Sequence, residues 1–101
     1  MINTSTDYKN NKESLIKDIA EREKIISDYK KYGVLDRDKA IKKLQELRIK
    51  DKEVEEITIA KLATFCIRDS SIPFSMSSDE QIVAELDMQK EILKAKLFRL
   101  Q

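Results

Sequence analysis

The sequence predicts an all-α protein, an elongated antiparallel three-helix arrangement in which a long helical hairpin and a third helix pack in coiled-coil fashion. Three observations lead there. Glycine and proline, the residues that most often interrupt helices, occur once each, at Gly33 and Pro73, and both fall where the apolar pattern breaks. Between them apolar residues recur at three- and four-residue spacing. The β-branched run Ile57, Thr58, Ile59 has no second strand-like segment to pair with, and a lone strand is not stable.

A single helical domain is expected over residues 1–101, with 1–7 as a flexible polar N-terminus. The first helix is expected over about 8–32. Tyr8, Leu15, Ile19, Ile26 and Tyr29 form a heptad seam, Lys12 and Arg22 fill its remaining positions, and Ile16, Ile25 and Tyr32 widen the stripe. Gly33 suits the left-handed position after a helix end, and Asp36 can accept from the first amides of the next helix. That second helix is expected over 37–69, carrying Ile41, Leu44, Leu47, Val54, Ile57, Leu62 and Phe65 with no breaker before Ser70 and Ser71. Its length would be ~50 Å at 1.5 Å per residue. Ser77 with Glu80 reads as a capping box for a third helix over 79–100, which places Ile82, Leu86, Leu93, Leu97 and Leu100 on one face with Gln89 interrupting them.

Antiparallel pairing across Gly33 matches Tyr29 with Ile41, Ile26 with Leu44, Leu15 with Val54 and Tyr8 with Leu62, partners whose numbers add to a nearly constant sum as a hairpin requires. The same register brings Arg22 and Asp51 within a turn of one another, either as a pair or facing solvent. The third helix should cover the second only to about Leu47, leaving Ile41 and Leu44 open on one side. Ile25, Tyr29, Tyr32, Leu35, Ile41 and Leu44 are therefore expected to form a self-association or target surface.

Composition narrows the function. The 20 Lys and Arg nearly cancel the 19 Asp and Glu, and the balance holds along the chain, so no net field steers it to nucleic acid or membrane. With no histidine and one cysteine, imidazole catalysis, an intrachain disulfide and a thiolate metal site are removed, and no catalytic residue, cofactor or metal site is assigned. Cys66, beside Phe65 and without a neighbouring His or a run of basic residues to stabilise a thiolate, reads as a small core hydrophobe. Glu53 to Glu56 lack the spacing and glycine of a calcium loop. The polar start and the short apolar stretches imply no membrane segment and a reducing, cytoplasmic setting.

The stretch TIAKLA, through Thr58, Ile59, Leu62 and Ala63, resembles the first helix of the helix-turn-helix in repressors that open T-I-x-x-L-A, and this implies DNA contact through residues 58–72. The chain departs from that pattern at the turn, where Ile67 and Arg68 replace a small residue and an apolar one, and Pro73 falls within the recognition helix. Lys39, Lys42, Lys43, Arg48, Lys50 and Lys52, with Arg68, are the candidate phosphate contacts. Interleaved Asp38, Glu46, Asp51 and Glu53 favour ordinary pairing along a solvated helix instead.

The other explanation of residues 57–67 is burial on all sides, between helices one and three. Ile72, Phe74 and Met76 alternate with small polar residues and either tuck over the open end of the bundle, the favoured reading, or form a docking segment. The expected function is that of a small non-catalytic adaptor, chaperone or regulator that binds another protein and self-associates. The alternative is a dimeric DNA-binding transcriptional regulator.

Overall fold

Local capping signals set most of the helix ends in the computed structural model, which describes residues 11–100. Helix α1 (Lys12–Tyr32) opens where the Asn11 side chain accepts from the Ser14 amide, and closes at Gly33, which takes the left-handed φ of 70° and donates its N–H to the Tyr29 carbonyl. Asp36 then caps α2 (Arg37–Lys50) by accepting from the Lys39 amide. Helix α3 spans Lys52–Thr64, a single 3₁₀ turn covers Phe74–Met76, and α4 runs Asp79–Leu100. Tyr8, where the first helix was expected to start, lies outside the described residues, as does the segment 1–7. Among the described residues there is no strand, and no helix is long and apolar enough to cross a membrane.

The expected long second helix is two helices. At Asp51 the backbone turns extended (φ −137°, ψ 99°), and its side-chain Oδ1 accepts from the amides of Glu53 and Val54 to open α3. Aspartate competes in this way with the helical ladder. Asp51 is also fully buried, with Oδ2 3.4 Å from the Lys96 ammonium of α4, so the break depends on a partner remote in sequence.

Helix α3 also stops earlier than expected. Ile67 donates to the Leu62 carbonyl and Cys66 to that of Ala63, the paired bonds of a Schellman ending, with Cys66 in the left-handed position (φ 54°) that glycine usually fills. The box that opens α4 sits one residue later than read from the sequence. Ser78 Oγ accepts from the Gln81 amide and Gln81 Oε1 from the Ser78 amide, which leaves Ser77 to turn inward.

With the second helix divided, the molecule is compact, not elongated. It measures 42 × 28 × 21 Å, and its 13.6 Å radius of gyration is close to the ~13 Å expected of a folded chain this long. Helix α4 is the central element and packs on α1, α2 and α3 in turn. It runs antiparallel to α1, with the Tyr29 hydroxyl donating to Glu80 at one end and Leu15 sharing a cluster with Leu97 toward the other.

Two apolar clusters make the core. Ile25, Ile26, Ala40, Leu44, Ile82, Val83 and Leu86 form one, and Leu15, Ile19, Leu47, Val54, Ile92 and Leu93 the other. A polar layer lies between them. Arg22 is buried and neither pairs with Asp51 nor faces solvent; its Nε donates to Gln89 Oε1 (3.0 Å) and its terminal nitrogens to the carbonyls of Asp18 and Lys43, while Gln89 Nε2 donates to the Leu44 carbonyl (3.1 Å). Gln89 interrupts the apolar seam of α4 because it holds α1 and α2 at this level.

Two substitutions test these assignments. Replacing Cys66 with glycine relieves the left-handed strain and should raise unfolding stability by about 1 kcal/mol. Thr58 is fully buried with no hydrogen-bond partner for Oγ1, so Thr58→Val should also stabilise by about 1 kcal/mol. Urea denaturation with an unchanged slope checks both, and a lower midpoint for either variant contradicts its assignment.

Candidate functional site

The longest connection, residues 65–78, is ordered by arginine. Arg37, in the first turn of α2, places Nη1 2.6 Å from Asp79, and its Nη2 reaches the carbonyls of Ser77 (2.8 Å), Phe74 (3.3 Å) and Ser75 (3.5 Å). Arg68, within the loop, donates from Nη1 to the Ile72 carbonyl (2.9 Å), the Asp69 carbonyl (3.2 Å) and Ser77 Oγ (3.3 Å). Gln81 Nε2 donates to the Ile67 carbonyl. A guanidinium presents several donors in a rigid plane, which lets one side chain gather carbonyls that no regular ladder satisfies.

Beneath the loop lies Glu85 of α4, fully buried. Its Oε2 accepts from Arg48 Nε (3.0 Å) and Nη2 (2.6 Å), and its Oε1 from Arg68 Nε (3.3 Å). Phe74 takes both guanidiniums against its ring, 5.0 Å from Arg48 and 4.5 Å from Arg68, and packs on the core cluster of Ile26, Leu44 and Leu86. Ile72 and Met76 on either side of it are exposed, Met76 at 76%. The alternation in the sequence thus resolves into one aromatic ring turned in and two aliphatic side chains turned out.

Asp69 tightens the outer turn by accepting from the hydroxyl (2.7 Å) and amide (2.9 Å) of Ser71, and these bonds, hydroxyl first, hold its carboxyl below the ordinary aspartate range. At the end of α3, Phe65 (63%) and the Cys66 thiol are also exposed. The expectation that residues 57–67 are buried on every side does not hold. Thr58 and Leu62 are buried, but α3 meets α2 and α4 on one side only, and Ala60, Ala63, Phe65 and Cys66 face outward.

At the hairpin end, Leu44 is fully buried and Ile25 nearly so, because the start of α4, through Ile82, Val83 and Leu86, covers the region expected to be open. Tyr29, Leu35 and Ile41 are half-buried against the same cluster, and Tyr32 alone of the six is exposed. Loss of solvation and the neighbouring Glu80 carboxylate hold the Tyr29 phenol above its ordinary range. Of the basic residues singled out from the sequence, Lys39, Lys42 and Lys50 are exposed, while Lys43 bridges to Glu21 (2.9 Å) and, by that hydrogen bond first, lowers the Glu21 carboxyl. Arg48 and Arg68 are engaged with Glu85.

No helix follows α3 until Asp79, so the position of a recognition helix is occupied by loop and one 3₁₀ turn. Among the described residues no three acidic, cysteine or histidine side chains gather as a metal ion would require. Sequence reasoning missed the exposed Val34, Ile49, Phe65 and Phe98. Ile49 and Phe98 fall off the apolar seams of their helices, a signal that was available from spacing alone.

No family model matches the chain, and no curated protein or solved structure is significantly similar to it.

The Glu85 carboxylate can be tested directly. Glu85→Gln leaves the buried Arg68 and the half-buried Arg48 without their counter-charge and should cost about 3 kcal/mol of stability. Amide hydrogen exchange across residues 67–77 should accelerate more than exchange at the Gly33 end. A loss under 1 kcal/mol with unchanged loop protection contradicts the role given to Glu85.

Proposed function

We propose that the chain is a non-catalytic helical protein that acts by contact with another protein, as an adaptor, chaperone or regulator, and that it recognises its partner through the loop between α3 and α4. One observation carries this reading. The loop is tied down from the inside, by Arg37, Arg68 and Phe74, while Ile72 and Met76 stand exposed on the same short segment.

A surface loop ordinarily loses conformational entropy when it binds, and that loss subtracts from affinity. Here the ordering is already supplied within the chain. Exposed aliphatic side chains on a fixed backbone can serve as anchors, and methionine adapts its shape to the pocket it enters.

Charge gives the partner a chemistry. Arg68 is buried and Arg37, one third exposed, is bound to Asp79 and to loop carbonyls, so the more exposed charges flanking the anchors are acidic, Asp69 before them and Glu80 after. A complementary protein surface has apolar pockets edged by lysine or arginine.

The test compares the native chain with an Ile72→Glu, Met76→Glu double variant, with Tyr32→Glu, at the exposed last residue of α1, as a control. All three should give the same helical circular dichroism. Capture of a protein from extracts of the producing cells should fall at least tenfold for the loop variant, hold for Tyr32→Glu, and weaken with added salt. Equal capture by the loop variant and the native chain rules out the loop as the recognition surface.

A further inference from the structure

The junction between α2 and α3 is a single non-helical residue in a stretch that otherwise reads as one helix. From Arg37 to Thr64 there is neither glycine nor proline. The fully or nearly fully buried residues Ala40, Leu44, Leu47, Asp51, Val54, Thr58 and Leu62 keep three- and four-residue spacing straight through the break. A continuous helix would therefore present all of them on one face. What holds the bend is the Asp51 side chain, capping α3 through Oδ1 and lying beside Lys96 through Oδ2.

We propose that Asp51 is the hinge of an exchange between two copies of this chain. In the exchanged form α2 and α3 join into one helix of roughly 28 residues, ~42 Å long. The α1–α2 half of each copy then seats on the α3–α4 half of the other. This goes beyond the loop reading and uses a different surface, the interior of the bundle.

Exchange preserves the interior because the contacts that cross between the two halves are remade from the second copy. Ile25, Ile26, Ala40 and Leu44 meet Ile82, Val83 and Leu86 of the partner copy, Arg22 meets its Gln89, and Arg48 its Glu85. Two-fold symmetry makes each contact twice. Only the angle at Asp51 and the packing of α2 on α3 change.

Asp51→Ala removes the cap and adds helix propensity at the break, so at equal concentration it should raise the dimer association constant about a hundredfold, counting two hinges per dimer. Asp51→Gly removes the same carboxylate but disfavours helix continuation, and should remain monomeric. Light scattering reads the mass.

Connectivity is read in a Cys66→Ser background with Glu23→Cys and Lys94→Cys, positions paired across α1 and α4 at 3.1 Å in the native chain, joined by a short bis-maleimide. On a denaturing gel the closed form gives a product of one chain and the exchanged form a product of two. The Asp51→Ala dimer should give two. A folded Asp51→Ala monomer, a dimer cross-linked only within chains, or an equal gain in dimer by Asp51→Gly overturns the proposal. Should Asp51→Ala fail to fold, the native chain refolded from denaturant at high concentration carries the test. Exchanged dimer there supports the hinge, and its absence overturns it.

Discussion

Three polar side chains buried on the core face of α4 decide where everything else sits. Glu85 receives Arg48 from α2 and Arg68 from the loop, Gln89 receives Arg22 from α1 and reaches the Leu44 carbonyl of α2, and Lys96 lies against Asp51 and Glu53 where α3 begins. Apolar burial supplies the driving force for collapse but discriminates weakly between arrangements, since leucine and isoleucine pack in many registers. A buried ion or amide discriminates strongly. Sliding α4 by one turn would leave Glu85 or Lys96 buried without its partner, at a cost of several kcal/mol. The seam of α4 is thus less apolar than a stable coiled coil would need, and more specific.

The helix ends that the sequence made legible are those written in neighbouring residues. Gly33 and Asp36 mark one turn because a left-handed glycine and a capping aspartate act within a few residues of where they stand. The start of α4 was legible to within one residue for the same reason. The break at Asp51 was not, since aspartate in mid-helix is ordinary and its buried carboxylate meets the Lys96 ammonium, from the far end of the chain. The end of α3 was hidden for a different reason: Cys66 adopts a conformation that its residue type does not advertise. Once the long helix divides, the hairpin shortens and α4 reaches over Leu44, so the open patch inferred from a straight helix closes.

The loop illustrates a signal that was present but unread. The chain is rich in lysine and has only five arginines, and four of them, Arg22, Arg37, Arg48 and Arg68, hold backbone carbonyls or buried carboxylates. The lysines lie largely on the outside. Where a sequence spends arginine against a lysine background, the planar, many-donor group is serving a fixed geometry that an ammonium cannot supply. Arg68 and Arg48 look like phosphate contacts only when charge is counted and chemistry is not. The same distinction explains Phe74, whose ring packs against two guanidiniums that Glu85 already holds in place.

The polar row of α4 and the continuous seam through Asp51 specify different things. The row selects which helix faces α4 and in what register, and it is indifferent to whether that helix belongs to the same chain. The seam specifies that α2 and α3 present one common face, and it is indifferent to the angle between them, because Ala40 to Leu62 keep their spacing on both sides of the break. Chain connectivity is therefore set at one place, by the Asp51 cap and the Lys96 contact that stabilises it. A bundle built in this way has its tertiary specificity distributed along α4 and its topology concentrated in a single side chain. In the proposed exchange, local free energy at that side chain, small beside the energy of the whole core, is then enough to determine which copy of α4 each α1–α2 half occupies.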